Sequence, residues 1–146
     1  MKANYENKNI ITARTNSNVS YTVSTAYSAV KVPMTNIEYN LGDCFELSDG
    51  NIKIKKAGYY KVNANMICTG ASNGSTQVIE LHKNNSRIVS AYQYAPTGAF
   101  ISLIITPSVF YGRVGDLITM KLASNNTNTA FTVGGGIYTY MTVEKI

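Results

Sequence analysis

The stretch KAGYYKVNANM, residues 56–66, carries apolar side chains at every second position. Successive side chains of an extended chain point to opposite faces, whereas a helix repeats about every 3.6 residues. One face therefore holds Tyr60, Val62, Ala64 and Met66, and the other holds Tyr59, Lys61, Asn63 and Asn65. The pattern predicts a β-strand with one buried and one solvated face, which the chain enters through a sharp turn at Gly58.

Charged residues make up only 14% of the 146 residues, and the formal net charge is +5. A surface with so few charges must be built from Asn, Ser, Thr and Tyr, which is typical of an all-β protein. The length fits one domain, since domains usually span about 100–200 residues. The tight basic cluster of Lys53, Lys55 and Lys56 fits the solvated face of a strand, so we expect no nucleic-acid binding.

Further stretches with strand character follow from Ser20 onward, separated by Asp-Gly, Asn-Asn, Gly-Asp and Ser-Asn-Asn turn signals. About seven or eight strands at this spacing predict a sandwich or a barrel. Residues 1–19 show little periodicity and are rich in Asn, Thr and Lys. They are predicted to form an extended N-terminal arm or tether, and residues 20–146 to form the folded domain.

Two elements can be predicted in more detail. Residues 78–83 and 87–92 form a hairpin in this prediction, because Asn84 and Asn85 tolerate the positive φ that tight hairpin turns require. The last segment, GIYTYMTVEKI, alternates apolar residues with aromatic and polar ones. A C-terminal strand of this composition is expected in the middle of a sheet.

The sequence offers little for catalysis or metal binding. His82 is the only histidine, and its place at a hairpin end predicts an exposed structural residue rather than a catalytic base. Asp43, Glu46 and Asp49 lie close together but lack the Asp-rich pattern of a calcium loop, which favours ordinary turns. We therefore expect a protein that is not an enzyme and needs no metal or cofactor.

Cys44 and Cys68 are the two cysteines, and their spacing fits neither a metal site nor a redox motif, so buried free thiols are predicted. The polar start MKANYENKNI does not have the character of a signal peptide. The chain also has no run of about 18 apolar residues, so we expect synthesis in the cytoplasm and no membrane insertion.

The stretch of residues 52–64 resembles the signature strand pair in the globular head of complement component one-q, a family related to tumour necrosis factor. In the family pattern an apolar or aromatic residue is followed by five variable residues and then by Gly-x-Tyr-x-aromatic. The matching residues here are Ile52, Gly58, Tyr60 and Val62. IELHKNNSRI resembles the family's Lys-Asn-Gly hairpin, VGDLITMKL its Gly-Asp strand entry, and GIYTYMTV its closing strand. The resemblance covers residues 21–146 and looks closer to the short, Asn- and Thr-rich versions of bacteria and their phages.

The resemblance implies a jelly-roll β-sandwich of about ten antiparallel strands that assembles as a tight homotrimer. Phage versions often form the tips or knobs of virion fibres. The expected function is therefore that of a trimeric head- or tail-fibre knob in host-surface attachment, located in the virion after synthesis in the host cytoplasm. The arm would dock to other virion proteins. A capsid or tail decoration protein without receptor binding, and a bacterial surface or spore-coat adhesion module, stay open as alternatives.

Large aromatic residues with few charges nearby are the candidates for the trimer interface, namely Tyr59, Phe100, Phe110, Tyr111, Tyr138 and Tyr140. If the receptor is a host cell-surface saccharide, the polar loops of residues 69–76 and 122–131 are the candidate ligand loops. Their candidate contact residues are Asn73, Ser75, Asn125 and Asn126.

Overall fold

The computed structural model describes residues 8–16, 18–69, 74–96, 99–125, 127 and 130–146. These residues form thirteen β-strands and one short 3₁₀ helix, Gly136–Tyr138. The strands are β1 Ile10–Arg14, β2 Val19–Thr22, β3 Val30–Lys31, β4 Asn36–Leu41, β5 Phe45–Ser48, β6 Asn51–Ile54, β7 Gly58–Thr69, β8 Ser75–Lys83, β9 Ser86–Ala95, β10 Phe100–Gly112, β11 Leu117–Ser124, β12 Ala130–Val133 and β13 Tyr140–Lys145. Among the described residues, no helix has the length and apolar character needed to cross a membrane.

Sheet I contains β1, β2, β4, β7, β10, β12 and β13, and β7 is its central strand. One edge of β7 pairs antiparallel with β10 from Gly58 opposite Gly112 to Thr69 opposite Phe100. The other edge pairs with β13 and, opposite Cys68, with β12. Because β13 pairs with β1 and β1 with β4, β10 and β4 lie at opposite edges of the sheet. The central position predicted for the C-terminal strand is confirmed.

Sheet II has the strand order β5, β6, β11, β8, β9, with β3 beside β11. The predicted hairpin is confirmed as β8 and β9, and its turn residues Asn84 and Asn85 have φ of +49° and +69°. Asparagine adopts this left-handed conformation more readily than most residues, and both central residues of the favoured hairpin turn require it.

The prediction of an exposed His82 is wrong, because the residue is only 8% exposed. The ring nitrogen Nε2 lies 2.6 Å from Oε2 of Glu80, and Nδ1 lies 3.0 Å from the carbonyl oxygen of Asn85. A register shift between Leu81 and His82 accompanies this local arrangement. Hydrogen bonds to both ring nitrogens offset the cost of removing the imidazole from water.

The core fills the space between the two sheets. The inward residues predicted for β7 are confirmed, with exposed fractions of at most 2% at alternate positions from Tyr60 to Cys68. The ring of Tyr60 lies between Phe45 and Phe110, with centroid distances of 5.6 and 5.8 Å. Burial raises the pKa of Tyr60 to about 12, and its hydroxyl donates a hydrogen bond to the carbonyl of Lys56. Cys44 and Cys68 are both buried free thiols, as predicted.

The predicted arm of residues 1–19 needs correction, because β1 lies inside sheet I. Ile11 and Ala13 are 0% exposed, and β1 pairs with β13 on one side and β4 on the other. β2, which starts at Val19, adds a second part of the predicted arm to the same sheet. Local periodicity did not reveal this strand, because β1 has only five residues within a polar stretch and its pairing partners, β13 and β4, are distant in sequence. Residues 1–7 lie outside the described residues.

Two of the three clustered acids, Asp43 and Glu46, pair with lysines. Lys53 Nζ lies 2.7 Å from Glu46, and Lys55 contacts Asp43. The hydrogen bond from Lys53 lowers the pKa of Glu46, and the one from Lys55 lowers the pKa of Asp43. Within the described part of the chain, no group of three His, Cys, Asp or Glu side chains is placed to hold a metal ion.

Candidate self-association surface

The outer face of β10 carries four large apolar side chains although it points away from the core. Phe100 is 75% exposed, Ile104 and Val109 are 60% exposed, and Tyr111 is 45% exposed. Ordinary solvated strand faces carry polar residues at these positions. We call Tyr59, Phe100, Ile104, Val109 and Tyr111 the apolar stripe. It follows an edge strand, where unpaired backbone groups already favour contact with another chain.

Tyr59 joins the stripe from the neighbouring strand β7, where it lies opposite Tyr111. The two rings contact edge to face, with centroids 5.2 Å apart and planes at 75°. Tyr59 remains 60% exposed. This pair therefore presents a fixed aromatic surface whose hydroxyl groups can reach water at the rim of an interface.

The centre of the same face of sheet I is polar, and its side chains bond to one another. The hydroxyls of Thr12 and Thr142 share a hydrogen bond of 2.7 Å, and Lys61 Nζ lies 2.8 Å from Glu144. Ser102 donates to Oδ1 of Asn65 over 2.7 Å, while the Asn65 amide donates to the carbonyl of Tyr138. Groups already paired within the subunit can be covered without leaving unsatisfied donors.

A second apolar patch lies at the opposite edge of sheet I. Tyr39 and Leu41 of β4 are 41% and 39% exposed, and they lie opposite Thr12 and Ile10 of β1. Together with Lys8 they line a cleft of about 270 Å³. We call Ile10, Tyr39 and Leu41 the β4 patch. The stripe and the patch flank the polar centre from opposite edges and have different side chains.

Of the residues predicted for the interface, all except Phe110 lie on the surface or are half-buried, and Phe110 lies in the core. Tyr138 is 54% exposed and lines a cleft of about 380 Å³ with Phe100, while Tyr140 is half-buried on the outer face of β13. Phe110 is a correction, because it is 9% exposed and packs in the core. The register of β10 shifts between Ile105 and Ser108, which moves Phe110 inward and Tyr111 outward.

Ile104 and Val109 are not among the residues predicted from the sequence, because that prediction rested on aromatic side chains. The sequence FISLIIT carries apolar residues on both faces of the strand, and Ile104 lies between inward Leu103 and Ile105. An edge strand that is apolar on both faces is the signal that would have identified the stripe.

The candidate ligand residues are not supported as one site. Ser75 is 1% exposed at the start of β8, where its hydroxyl accepts a hydrogen bond from Gln77, so its assignment to a ligand loop is wrong. Asn125 is exposed, but its Oδ1 accepts the Thr76 N–H over 2.9 Å and thereby ties two chain segments together. Asn73 and Asn126 lie outside the described residues.

The two facing antiparallel sheets form a jelly-roll β-sandwich, the fold expected from the resemblance. A structure of murine APRIL at pH 5.0 superposes with a TM-score of 0.72 at 15% identity, covering 95% of this chain and 99% of that one. Eiger TNF from S. frugiperda gives a TM-score of 0.70 at 10% identity, covering 95% and 92%. No protein-family model and no curated protein sequence matches the chain. The likeness therefore establishes the fold.

Proposed function

We propose that the protein is a homotrimeric knob of a phage head or tail fibre that contacts the host surface. The observation that carries the proposal is the apolar stripe on the edge strand β10. Burying a large apolar side chain contributes about 1.5–3 kcal/mol, so several stripe residues together favour association. The resemblance of Gly58, Tyr60 and the later landmarks to the short phage jelly rolls supports the fibre role.

The placement of the two apolar surfaces favours a closed ring of subunits. In a two-fold dimer the same patch meets itself, whereas a cyclic ring joins two different patches on each subunit. The stripe and the β4 patch lie at opposite edges of one sheet face, as a cyclic contact requires. In the proposed trimer the stripe of one subunit packs on sheet I of the next, and the paired polar centre is covered.

The remaining parts of the proposal concern attachment. Residues before β1 would hold the knob to other virion proteins, since they are polar and precede the first strand of the sandwich. The outer face of sheet II stays exposed in such a ring and would face the host cell.

Obligate interfaces typically bury about 2,000 Å² or more, so the subunits are not expected to persist as monomers.

Light scattering during size exclusion tests the assembly, and the expected mass is about three times the 15.9 kDa of the chain. Mass spectrometry of purified virions tests the location, and absence of the chain from them would overturn the fibre role. Labelled protein is then applied to host cells. Adsorption supports attachment, whereas presence in virions without adsorption would favour a decoration protein.

A further inference from the structure

The outer face of sheet II carries a cleft of about 470 Å³ between β8, β9 and the loop that contains Tyr27. Register places Tyr92 opposite Val78 and Ser90 opposite Glu80 on this face. We call the space lined by Tyr27, Thr76, Val78, Glu80, Arg87, Ser90 and Tyr92 the tyrosine cleft. It lies on the opposite sheet from the apolar stripe, so the proposed trimer leaves it open.

Two tyrosine rings form the rim of the cleft. Tyr27 is 55% exposed and Tyr92 is 77% exposed, although each ring has a large apolar surface. Tyr27 has a φ of +58°, an uncommon conformation for a bulky residue, and its N–H donates a 2.7 Å hydrogen bond to the carbonyl of Ser124. Strained backbone of this kind concentrates at ligand sites, where it fixes the position of a side chain.

The floor of the cleft holds a nearly buried carboxylate. Glu80 is 7% exposed, with Oε2 2.6 Å from His82 Nε2 and Oε1 3.3 Å from Arg87 Nη1. These contacts fix the carboxylate but use only part of its capacity to accept hydrogen bonds. Arg87 also retains N–H groups that can donate, and the Ser90 hydroxyl is exposed beside them.

This combination suits a neutral sugar ring. A sugar hydroxyl both donates and accepts, so adjacent hydroxyls can donate to Glu80 and accept from Arg87. The apolar C–H face of the ring can pack on Tyr92 and Val78, as amphipathic aromatic side chains allow. Because the positive charge of Arg87 offsets the negative charge of Glu80, the cleft has no net attraction for an anion from this pair.

We propose that the tyrosine cleft is a binding site for neutral saccharides, with Tyr92 as the stacking platform and Glu80 and Arg87 as the hydroxyl partners. The cleft is complete within one subunit, so sugar binding does not depend on the proposed trimer. Only the biological role of the site rests on the proposed attachment function. It replaces the polar loops of residues 69–76 and 122–131 as the location for a saccharide.

The test uses the full chain with N-acetylglucosamine, glucose and galactose as neutral probes and glucuronic acid as the anionic probe. Saturation-transfer NMR is expected to show binding of at least one neutral sugar, with dissociation constants on the order of 1 mM. Tyr92→Ala should weaken that binding at least tenfold, whereas Tyr92→Phe should retain it. Tyr94→Ala is the matched control, since Tyr94 is equally an exposed tyrosine of β9 but lies outside the cleft.

Glu80→Gln is the second variant, and it should also lose binding while its melting temperature shows whether it folds. No binding of any neutral probe, stronger binding of glucuronic acid, or equal losses in Tyr92→Ala and Tyr94→Ala would each overturn the proposal. Cell adsorption is measured separately. Adsorption without sugar binding overturns only the cleft, and sugar binding through Tyr92 without adsorption overturns only attachment.

Discussion

Phe110 lies between the two sheets, where its ring is stacked on Tyr60 at an interplanar angle of 24°. It is 9% exposed, and the adjacent Tyr111 points to the other face at 45%. A single residue step along β10 therefore separates a core contact from a surface contact. The two positions should respond differently to substitution.

Phe110→Ala is expected to lower the free energy of unfolding by about 3–5 kcal/mol, because it removes a large core side chain and leaves a cavity. Urea unfolding followed by fluorescence or circular dichroism measures the change. Phe110→Leu is the control, since it keeps most of the volume and should lose clearly less. A Phe110→Ala protein as stable as the parent would show that the ring is not part of the core.

At the scale of elements, the β8–β9 turn is tied to the turn between β10 and β11. Asn84 donates from its amide to Asp116 over 2.7 Å and accepts the Leu117 N–H over 2.9 Å. Burial raises the pKa of Asp116, but the hydrogen bonds from the Arg113 N–H and from Asn84 bring it below its ordinary value of 3.8. One asparagine thus connects the β8–β9 hairpin turn to the turn that leads from one sheet to the other.

Asn84→Gly is expected to destabilise the protein by about 1–2 kcal/mol, because glycine accepts the φ but loses both side-chain hydrogen bonds. Asn85→Gly is the matched control in the same turn, where φ is +69°. It should change stability by less than about 0.5 kcal/mol. Equal unfolding midpoints in urea for the two variants would refute the structural role of the Asn84 side chain.

The stripe on β10 makes a second prediction at this scale. Ile104→Lys places a charge in the middle of the proposed interface, where desolvation without a partner is costly. We expect this variant to elute as a monomer in light-scattering experiments at micromolar concentration. Val114→Lys is the control, since Val114 is an apolar residue of similar exposure, 68%, in the turn beyond β10. A trimer that tolerates Lys at position 104 would exclude the stripe as the interface.

The whole molecule should lose stability at alkaline pH because a thiol and a tyrosine hydroxyl, both of which can ionise, are buried in its core. Burial raises the pKa of Cys68 from 9.0 to about 12 and that of Tyr60 from 10.0 to about 12. Both groups stay protonated in the folded protein but ionise in the unfolded chain. The unfolded state therefore binds fewer protons above pH 9, and stability falls as pH rises from about 9 towards 12.

Urea unfolding between pH 7.5 and pH 11 measures this decline. Cys68→Ala removes one of the two groups, so its stability should fall less steeply with pH, whatever its stability at pH 7.5. Exposed tyrosines and lysines titrate in both proteins and cancel in the comparison. Identical slopes for the parent and Cys68→Ala would contradict the assignment of a buried thiol with a raised pKa.

The sequence by itself determined the properties that depend on neighbouring residues in the chain. The period of two places Tyr60 and Met66 in the core, because side chains of an extended strand alternate whatever the strand pairs with. Asn84 and Asn85 determine their turn, since local sterics govern which residues accept positive φ. The order of such local features predicts a sandwich or a barrel, and the family resemblance implies that it is a jelly roll.

Tertiary structure decided whatever depends on a distant partner. β1 is a strand because β13 and β4 supply its hydrogen bonds, and its own five residues are too few to show a clear period of two. The bulge after Ile105 arises from the register with β7, and it reverses which side of β10 faces the core. The tyrosine cleft depends on a loop meeting two strands remote in sequence. Pairing, register and the meeting of separate segments are set by the whole packed chain, because no short stretch contains both partners.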